Sequence, residues 1–418
     1  MKTFKIYTLG CKVNQYDSQA IREQLQSFGC KESNNSKKSD FNIINTCSVT
    51  GSADKQSRYL IRVARRNNPS GKIIVTGCYA HSNSKDIRKI KGVDLVLDNE
   101  DKERIAKFIL PSKKETRVGV FEISDFKSHT RAFVKIQDGC NNFCSFCKVP
   151  YVRGRSRSRD FKSIIEEVKR LSDKGYKEIV LTGICLGDYG KSLIQNTGLV
   201  ALIEEIEKVE KILRIRLSSI EAKDITDRLI NKMKTSKKLC SHLHIPFQSG
   251  DNKILKLMNR RDTREDYLNL ANKLKKNIKG LAITADIMIG FPGEEDKNFS
   301  NTFDLLKKIK PSRVHIFTFQ PRDGTPLSDC KNSISQDVLK RRFLRLKTLS
   351  EKLGLQFRKK FINKKLKILF EDKKDGFWRG YSNNYLLACV KGKTDLLFEN
   401  KILEVKVKNA SATVLSAV

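Results

Sequence analysis

Between Lys5 and Gln320, short and almost wholly apolar runs alternate with amphipathic segments of helical period, and that alternation leaves few folds open. Runs at 5–9, 41–46, 72–76 and 93–97 read as buried parallel strands, with helical spacing in Ile21/Leu25/Phe28 and Leu60/Ile61/Ala64 between them. The polar stretch Pro111-Ser112-Lys113-Lys114-Glu115 breaks the pattern, so a first α/β domain is expected over 1–112. Six further strand candidates follow, at 132–137, 178–182, 214–218, 242–246, 282–289 and 314–320, separated mostly by helix-patterned segments such as 163–171. A closed eightfold barrel needs two more units, so residues 124–354 are expected to form a partial, open (βα)6 barrel with its working loops at the strand C-terminal ends. From 355 to 418 the pattern changes to short runs at 366–370, 378–381, 385–390 and 403–407 broken by Gly and Asn, which predicts a small β-barrel.

The eleven cysteines are distributed with purpose. A chain this long does not resemble a small disulfide-stapled scaffold, and metal ligation is the better reading. Cys140, Cys144 and Cys147 form a Cys-x3-Cys-x2-Cys loop after the first barrel strand, three thiolates without a fourth. Structural zinc and electron-transferring cubanes normally take four protein ligands, so three leave a metal corner open to a substrate or cofactor. Local spacing alone also admits zinc with a distant fourth ligand. Cys11, Cys47 and Cys78 each follow one of the first three strands, and in a parallel sheet those ends share one edge. Taken singly each is a small buried hydrophobe; together they are candidates for a second three-thiolate site. Cys30, Cys185, Cys240, Cys330 and Cys389 show no comparable arrangement and are assigned to packing.

Charge points to phosphate. The formal net charge is +36 and the pI about 9.8, which favours nucleic-acid partners, although Lys outnumbering Arg (56 to 27) reflects AT-rich coding as well. Arg153, Arg155, Arg157 and Arg159 alternate after the cysteine loop as candidate phosphate contacts, the bland alternative being a solvated basic face. Phe377, Trp378, Tyr381 and Tyr385 lie among lysines in the terminal segment, as stacking or as core residues. Gly190-Lys191-Ser192 is not an ATP loop, because Cys185 stands where that motif needs glycine. No apolar run approaches the roughly 20 residues that span a bilayer, and Met1–Tyr7 carries neither signal core nor cleavage site, so a cytoplasmic protein is expected. The five histidines are poor catalytic candidates; His242 and His244 alternate on a predicted strand.

The cysteine loop, with Phe146 before its last cysteine and a six-unit barrel around it, resembles the radical S-adenosylmethionine superfamily. The wider pattern closely resembles the methylthiotransferase family over nearly the whole chain: Thr8-Leu9-Gly10-Cys11-Lys12-Val13-Asn14-Gln15-Tyr16-Asp17-Ser18, Asn45-Thr46-Cys47, Gly77-Cys78, the arginine run, Ile245-Pro246-Phe247-Gln248-Ser249-Gly250 and Ile289-Gly290-Phe291-Pro292-Gly293-Glu294. That resemblance implies two 4Fe-4S clusters, Cys140, Cys144 and Cys147 holding the one that cleaves S-adenosylmethionine to a 5′-deoxyadenosyl radical, and Cys11, Cys47 and Cys78 holding the one that supplies sulfur. It implies two S-adenosylmethionine molecules per turnover, with Phe146, Gly183, Gln248, Ser249, Gly250, Gly290 and Gly293 bordering the cofactor, although tight turns favour several of these glycines equally. Cys185 departs from the polar residue the family pattern leads one to expect.

Within the family, Gly10 to Ser18 resembles the branch that methylthiolates N6-threonylcarbamoyladenosine beside the tRNA anticodon. The isopentenyladenosine branch usually has Gln-Met-Asn, and the ribosomal-protein branch Pro-Lys-Asn, where this chain has Lys12-Val13-Asn14. The terminal barrel resembles the nucleic-acid-binding TRAM domain. The implied partners are a tRNA anticodon stem-loop and an electron donor such as flavodoxin or ferredoxin, with no membrane and a monomeric enzyme. The alternatives are the same chemistry on isopentenyladenosine or a ribosomal-protein aspartate, and, from another class, a noncatalytic zinc-stapled RNA-binding protein.

Overall fold

The structure, a computed structural model, describes all residues except 35–38, 112–120, 128, 195–196, 331–333 and 393–396. Its first layer is a five-stranded parallel sheet of β1 (Thr3–Thr8), β2 (Lys31–Glu32), β3 (Phe41–Thr46), β4 (Lys72–Gly77) and β5 (Leu95–Val96), in the order β2-β1-β3-β4-β5. Period-two alternation sorts its side chains: Phe4, Ile6, Ile43 and Ile74 pack on one face, Ile44, Ile73 and Val75 on the other. Both faces are covered, which is why these strands read as continuous apolar runs. The chain runs from β1 outward to β2 and then returns to the other side of β1, so the order reverses between β1 and β3, the place where open α/β sheets bind ligands. Cys11 and Cys47 follow these two strands.

Helix Lys12–Ser27 is the wedge between this sheet and the next layer. Ile21 and Leu25 belong to the sheet's core, Tyr16 and Ala20 to the core of the barrel. The polar stretch expected to end the first domain lies, from Ser112 to Glu115, outside the described residues.

The barrel strands β6 (Arg131–Lys135), β9 (Glu178–Thr182), β10 (Arg214–Leu217), β11 (His242–Gln248), β12 (Ala282–Ile289) and β13 (Arg313–Thr318) form two three-stranded sheets, β6-β9-β10 and β11-β12-β13. Bridges between Ile215 and Leu239 and between Ser219 and His244 join them into an open run of six, all of whose strand pairs are parallel. A two-residue antiparallel pair, β7 (Gln137–Asp138) with β8 (Arg157–Ser158), frames the cysteine loop.

The terminal segment is a closed barrel of β14 (Lys365–Lys374), β15 (Phe377–Ser382), β16 (Leu387–Lys391), β17 (Ile402–Ala410) and β18 (Leu415–Ala417), in the order β14-β15-β16-β18-β17. The three-residue β18, too short to register as a strand in the sequence, closes it by pairing parallel to β16. The boundary expected between 354 and 355 falls inside the continuous helix Gln336–Lys359. Leu346, Leu349 and Leu353 of that helix pack in the large barrel, and Phe357 packs on the small one, so one helix serves both cores. Arg214 and Arg216 dock the two barrels by donating to the carbonyls of Lys367 (2.6 Å), Tyr381 (2.9 Å), Asn383 (3.0 Å) and Ser382 (3.1 Å).

Candidate metal centres and cavity

The turn after β1 can form only with glycine at position 10. Gly10 has φ +94°, and a Cβ there would lie 2.6 Å from Cys47 Sγ. Cys11 then caps helix Lys12–Ser27 and is exposed, while Cys47 and Cys78, the latter opening helix Cys78–Ser82, are buried. Asn14 fixes the turns that carry two of the three: its Nδ2 donates to the carbonyls of Leu9 and Thr46, both at 2.8 Å. Its own carbonyl accepts from Asn45 (2.9 Å), and its Oδ1 accepts from Arg153 (2.7 Å) and Lys102 (3.2 Å). The Cys47 thiol is pushed up to about 11, by burial first, with the neighbouring Cys78 and Cys11 sulfurs adding to it; β1, β3 and β4 lie side by side, so the cysteines that follow them share one edge of the sheet.

Beneath them lies a buried ionic network. Asp17 accepts from Lys135 at 2.7 Å and Lys102 at 3.1 Å, with Arg153 at 3.4 Å, and Arg153 also holds both oxygens of Asp138 at 3.0 and 2.9 Å. Burial raises the cost of ionising Asp17, yet the three cations keep its carboxyl far below the ordinary range. Arg153 was expected to meet RNA phosphate; it is buried, and Asp138, Cys78, Asp17 and Cys11 hold its charge inside the protein. Arg159 is likewise drawn inward, donating to Tyr16 at 2.8 Å and to Glu167 at 3.0 Å. Arg155 and Arg157 remain exposed, Arg155 with its guanidinium over the Phe143 ring at 4.5 Å.

The second set is built by the loop between β7 and β8. Gly139, with φ +73°, is held so tightly against the Arg155 carbonyl that a Cβ would lie 2.1 Å from its oxygen. Cys140 N–H donates to the Gly154 carbonyl (3.1 Å), Cys147 N–H to that of Cys144 (2.9 Å) and Ser145 N–H to that of Met258 (3.1 Å). Burial pushes the Cys147 thiol up to about 12, with Cys144 and Cys140 adding to it. Burial also raises Cys144, opposed by Arg260, whose guanidinium pairs with Glu221 at 2.5 Å. Soft thiols gathered in threes fit iron–sulfur ligation, which takes them as thiolates.

Cys185 was assigned to packing, and the structure places it at this site instead. Its thiol contacts Cys140, lies 3.8 Å from Asn142 Nδ2 and 3.9 Å from Asp224 Oδ2, and forms with Asp188 and Asp224 a group whose ligand atoms lie within 4.8 Å of one another. The contact with Cys140, burial and the two carboxylates raise the Cys185 thiol far above the usual range. Gln137, also unforeseen, ties the loops together: its Nε2 donates to the Gly139 carbonyl (2.7 Å) and its Oε1 accepts from Cys185 N–H (2.8 Å).

The residues expected around the cofactor divide. Gly183 packs against Gln137, with space for a Cβ lacking by contact at 2.9 Å, and Gln248 ends β11 at φ 63°. Ser249 and Gly250 spend their polar atoms within the fold, on Thr302 and Asp251, and Phe146 packs edge-on against Phe291 at 6.3 Å. Gly290 and Gly293 form a left-handed turn closed by Glu294, which accepts from the Gly290 and Phe291 N–H groups. These last five therefore have a complete structural role in the protein itself. Of the four terminal aromatics, Trp378 is core, Tyr381 and Tyr385 stack at 4.9 Å beneath Arg131, and Phe377 alone is exposed.

A cavity of about 820 Å³ opens inside the six strands, bounded by helix Gln336–Lys359, by Tyr381 and Tyr385, and by Lys12 from the first layer. His242 and His244 line it, each beside Thr284 Oγ1, at 3.0 and 2.9 Å, and His244 pairs with Asp286 at 3.0 Å.

An open βα barrel carrying a three-cysteine loop behind its first strand defines the class: residues 134–306 match the radical SAM superfamily, and residues 3–98 match the uncharacterized protein family UPF0004. The structure of the radical S-adenosylmethionine methyltransferase TsrM from Kitasatospora setae superposes with a TM-score of 0.58 over 78% of this chain and 75% of that one; at 12% identity the likeness is one of fold. Sequence relatives are nearer. The chain is 40% identical to the threonylcarbamoyladenosine tRNA methylthiotransferase MtaB of Bacillus subtilis over 98% of its own length and 94% of the relative's. It is 36% identical to the tRNA-2-methylthio-N(6)-dimethylallyladenosine synthase of Acetivibrio thermocellus over 88% of this chain and 81% of that protein. The chain belongs to the radical S-adenosylmethionine methylthiotransferase family.

Proposed function

We propose that this enzyme converts N6-threonylcarbamoyladenosine beside the tRNA anticodon to its 2-methylthio derivative, using S-adenosylmethionine, a cluster on Cys140, Cys144 and Cys147, and a second cluster on Cys11, Cys47 and Cys78. The observation that carries the reading is the convergence of Cys11, Cys47 and Cys78 at the ends of β1, β3 and β4 in a chain that separately builds a three-cysteine loop. A purely structural metal site explains neither the duplication nor the missing fourth thiolates. Bound there, the two clusters with S-adenosylmethionine supply one-electron chemistry and transferable sulfur.

The protein's share is placement. Gly139 and Gln137 hold the cysteine loop against β9, Asn14 holds the turns of Cys11 and Cys47, and the Asp17 network welds the first layer to the barrel. Arg155 and Arg157 are the exposed members of the arginine run and can meet phosphate, Arg157 having only exposed Glu100 beside it at 4.0 Å, with the lysine-rich terminal barrel beside the cavity mouth. Among the described residues no helix is long and apolar enough to cross a membrane. A monomer working in the cytoplasm with a flavodoxin- or ferredoxin-type donor accords with this reading.

The substrate preference rests on the Gly10 to Ser18 segment and on the relative of highest identity given above, against relatives that act on dimethylallyladenosine. The test is anaerobic reconstitution with iron and sulfide, then incubation with S-adenosylmethionine, reductant and anticodon stem-loops carrying either nucleoside. Mass spectrometry should find the methylthio product of threonylcarbamoyladenosine; product from isopentenyladenosine alone would overturn the assignment.

A further inference from the structure

The cationic lining of the 820 Å³ cavity is not all spoken for. Arg131 pairs with Glu371 at 2.5 Å, Arg216 with Glu178 at 2.7 Å, and Arg358 donates to the Ala412 carbonyl at 2.6 Å. Of the two carboxylates in the lining, Asp286 is taken by His244, and Glu351 is exposed and within ion-pair distance of none of these cations. Lys12, Arg313 and Lys347 are left: among the described residues none of the three has a carboxylate within ion-pair distance, and of these Lys12 alone comes from a turn that carries a candidate cluster cysteine. All three are exposed.

Lys12 joins the cavity lining from the first layer. Burial first, then the charges of Arg216, His244 and Lys12, hold His242 well below the ordinary histidine range; at His315 burial and Arg313 lead, with Lys12 again contributing, and Lys12 also favours the ionised form of Tyr385. These three residues come from β11, from β13 and from the turn between β15 and β16, and Lys12, entering from the Cys11 turn, lines the same cavity with them. A volume of this size lies within the roughly 300–1,000 Å³ of pockets that enclose small ligands. An uncompensated ammonium facing a partly desolvated pocket favours an anionic ligand group.

We propose that Lys12 is a specificity-determining residue, its ammonium binding the carboxylate of the threonylcarbamoyl substituent on the adenine, with Arg313 as a second, weaker contact. The inference rests on the substrate reading above. The threonylcarbamoyl group carries a carboxylate where the isopentenyl group is wholly apolar, so a cation beside the sulfur-bearing turn both recruits the one and leaves itself unpaired against the other.

The experiment uses the full-length reconstituted enzyme with stem-loops bearing threonylcarbamoyladenosine, its neutral methyl ester, or unmodified adenosine. Affinity is read by fluorescence anisotropy and kcat/KM by nucleoside mass spectrometry. The wild type should prefer the carboxylate over the ester by about tenfold to a hundredfold, as for a hydrogen bond to a charged group. Lys12→Gln should bring the carboxylate substrate down to the ester's affinity without weakening the other two, Lys12→Arg should restore the preference, and Arg313→Gln should erode it in part. A Lys12→Gln enzyme that keeps the full preference, or that binds all three RNAs equally more weakly as a lost phosphate contact would, overturns the assignment. A wild type inert toward threonylcarbamoyladenosine but active on isopentenyladenosine strikes the substrate reading itself.

Discussion

Replacing Asn14 by alanine should empty one metal site and spare the other. Asn14 is 1% exposed and its side chain makes four polar contacts, two to the carbonyls before Gly10 and Cys47 and two to buried cations. Hydrogen bonds to charged partners contribute about 1.5–3 kcal/mol and neutral ones about 0.5–1.5 kcal/mol, with a further penalty for any group left buried and unsatisfied. Because such contacts act as a unit, the expected loss for the truncation is about 3–5 kcal/mol, concentrated in the first layer. The assay is thermal unfolding together with iron and sulfide analysis after anaerobic reconstitution. Iron should fall to about half the wild-type content, with reductive cleavage of S-adenosylmethionine retained because the Cys140 loop is held by Gly139 and Gln137 rather than by Asn14. A variant that melts like the wild type and carries its full iron would refute the idea that Asn14 fixes the turns.

Three further outcomes follow from the same geometry. Cys144→Ala should abolish cleavage of S-adenosylmethionine, whereas Cys47→Ala should retain cleavage and lose sulfur insertion; product analysis with a cleavage assay separates them. Arg155→Gln with Arg157→Gln should weaken stem-loop binding and flatten its salt dependence by roughly one to two charges in a log–log plot, while the same change at buried Arg153 should instead lower the melting temperature. Glu178 is buried among Arg216 (2.7 Å), Arg214 (3.5 Å) and Arg131 (4.0 Å), which together with its hydrogen bond to Arg216 hold its carboxyl below the ordinary value against the opposing effect of burial. Its stabilisation is therefore present above the unfolded carboxylate pKa of about 4.3 and lost as pH falls through the lower folded value. Glu178→Gln should cost about 3–5 kcal/mol at neutral pH, and urea melts should show the gap to wild type closing on acidification.

Much of the architecture is written in local pattern. The runs at 41–46, 178–182 and 282–289 coincide with strands because both faces of each are covered and every residue must be apolar or internally satisfied. The convergence of Cys11, Cys47 and Cys78 also follows from sequence, since strand order in a parallel sheet brings C-terminal ends to one edge. The arginine run shows where pattern fails. A spacing of two puts all four arginines on one face of an extended segment, yet Arg153 and Arg159 turn inward, drawn by Asp17, Asp138 and Glu167, acids contributed by other elements. The role of Cys185 is hidden for the same reason: it is tied to Gln137 and the cysteine loop by a contact that forms only once β6 and β9 pair. Helix Gln336–Lys359 hides the boundary it crosses because its periodicity never breaks while its apolar face changes partners.

The account stands on two open three-thiolate clusters in one chain, and Mössbauer spectroscopy of oxygen-free protein reconstituted with ⁵⁷Fe reads that directly. It predicts about eight irons per chain in two cubanes, falling to one cubane whether Cys11, Cys47 and Cys78 or Cys140, Cys144 and Cys147 are replaced by alanine. A wild-type spectrum with a single cubane, unaltered by removing Cys11, Cys47 and Cys78, would contradict it.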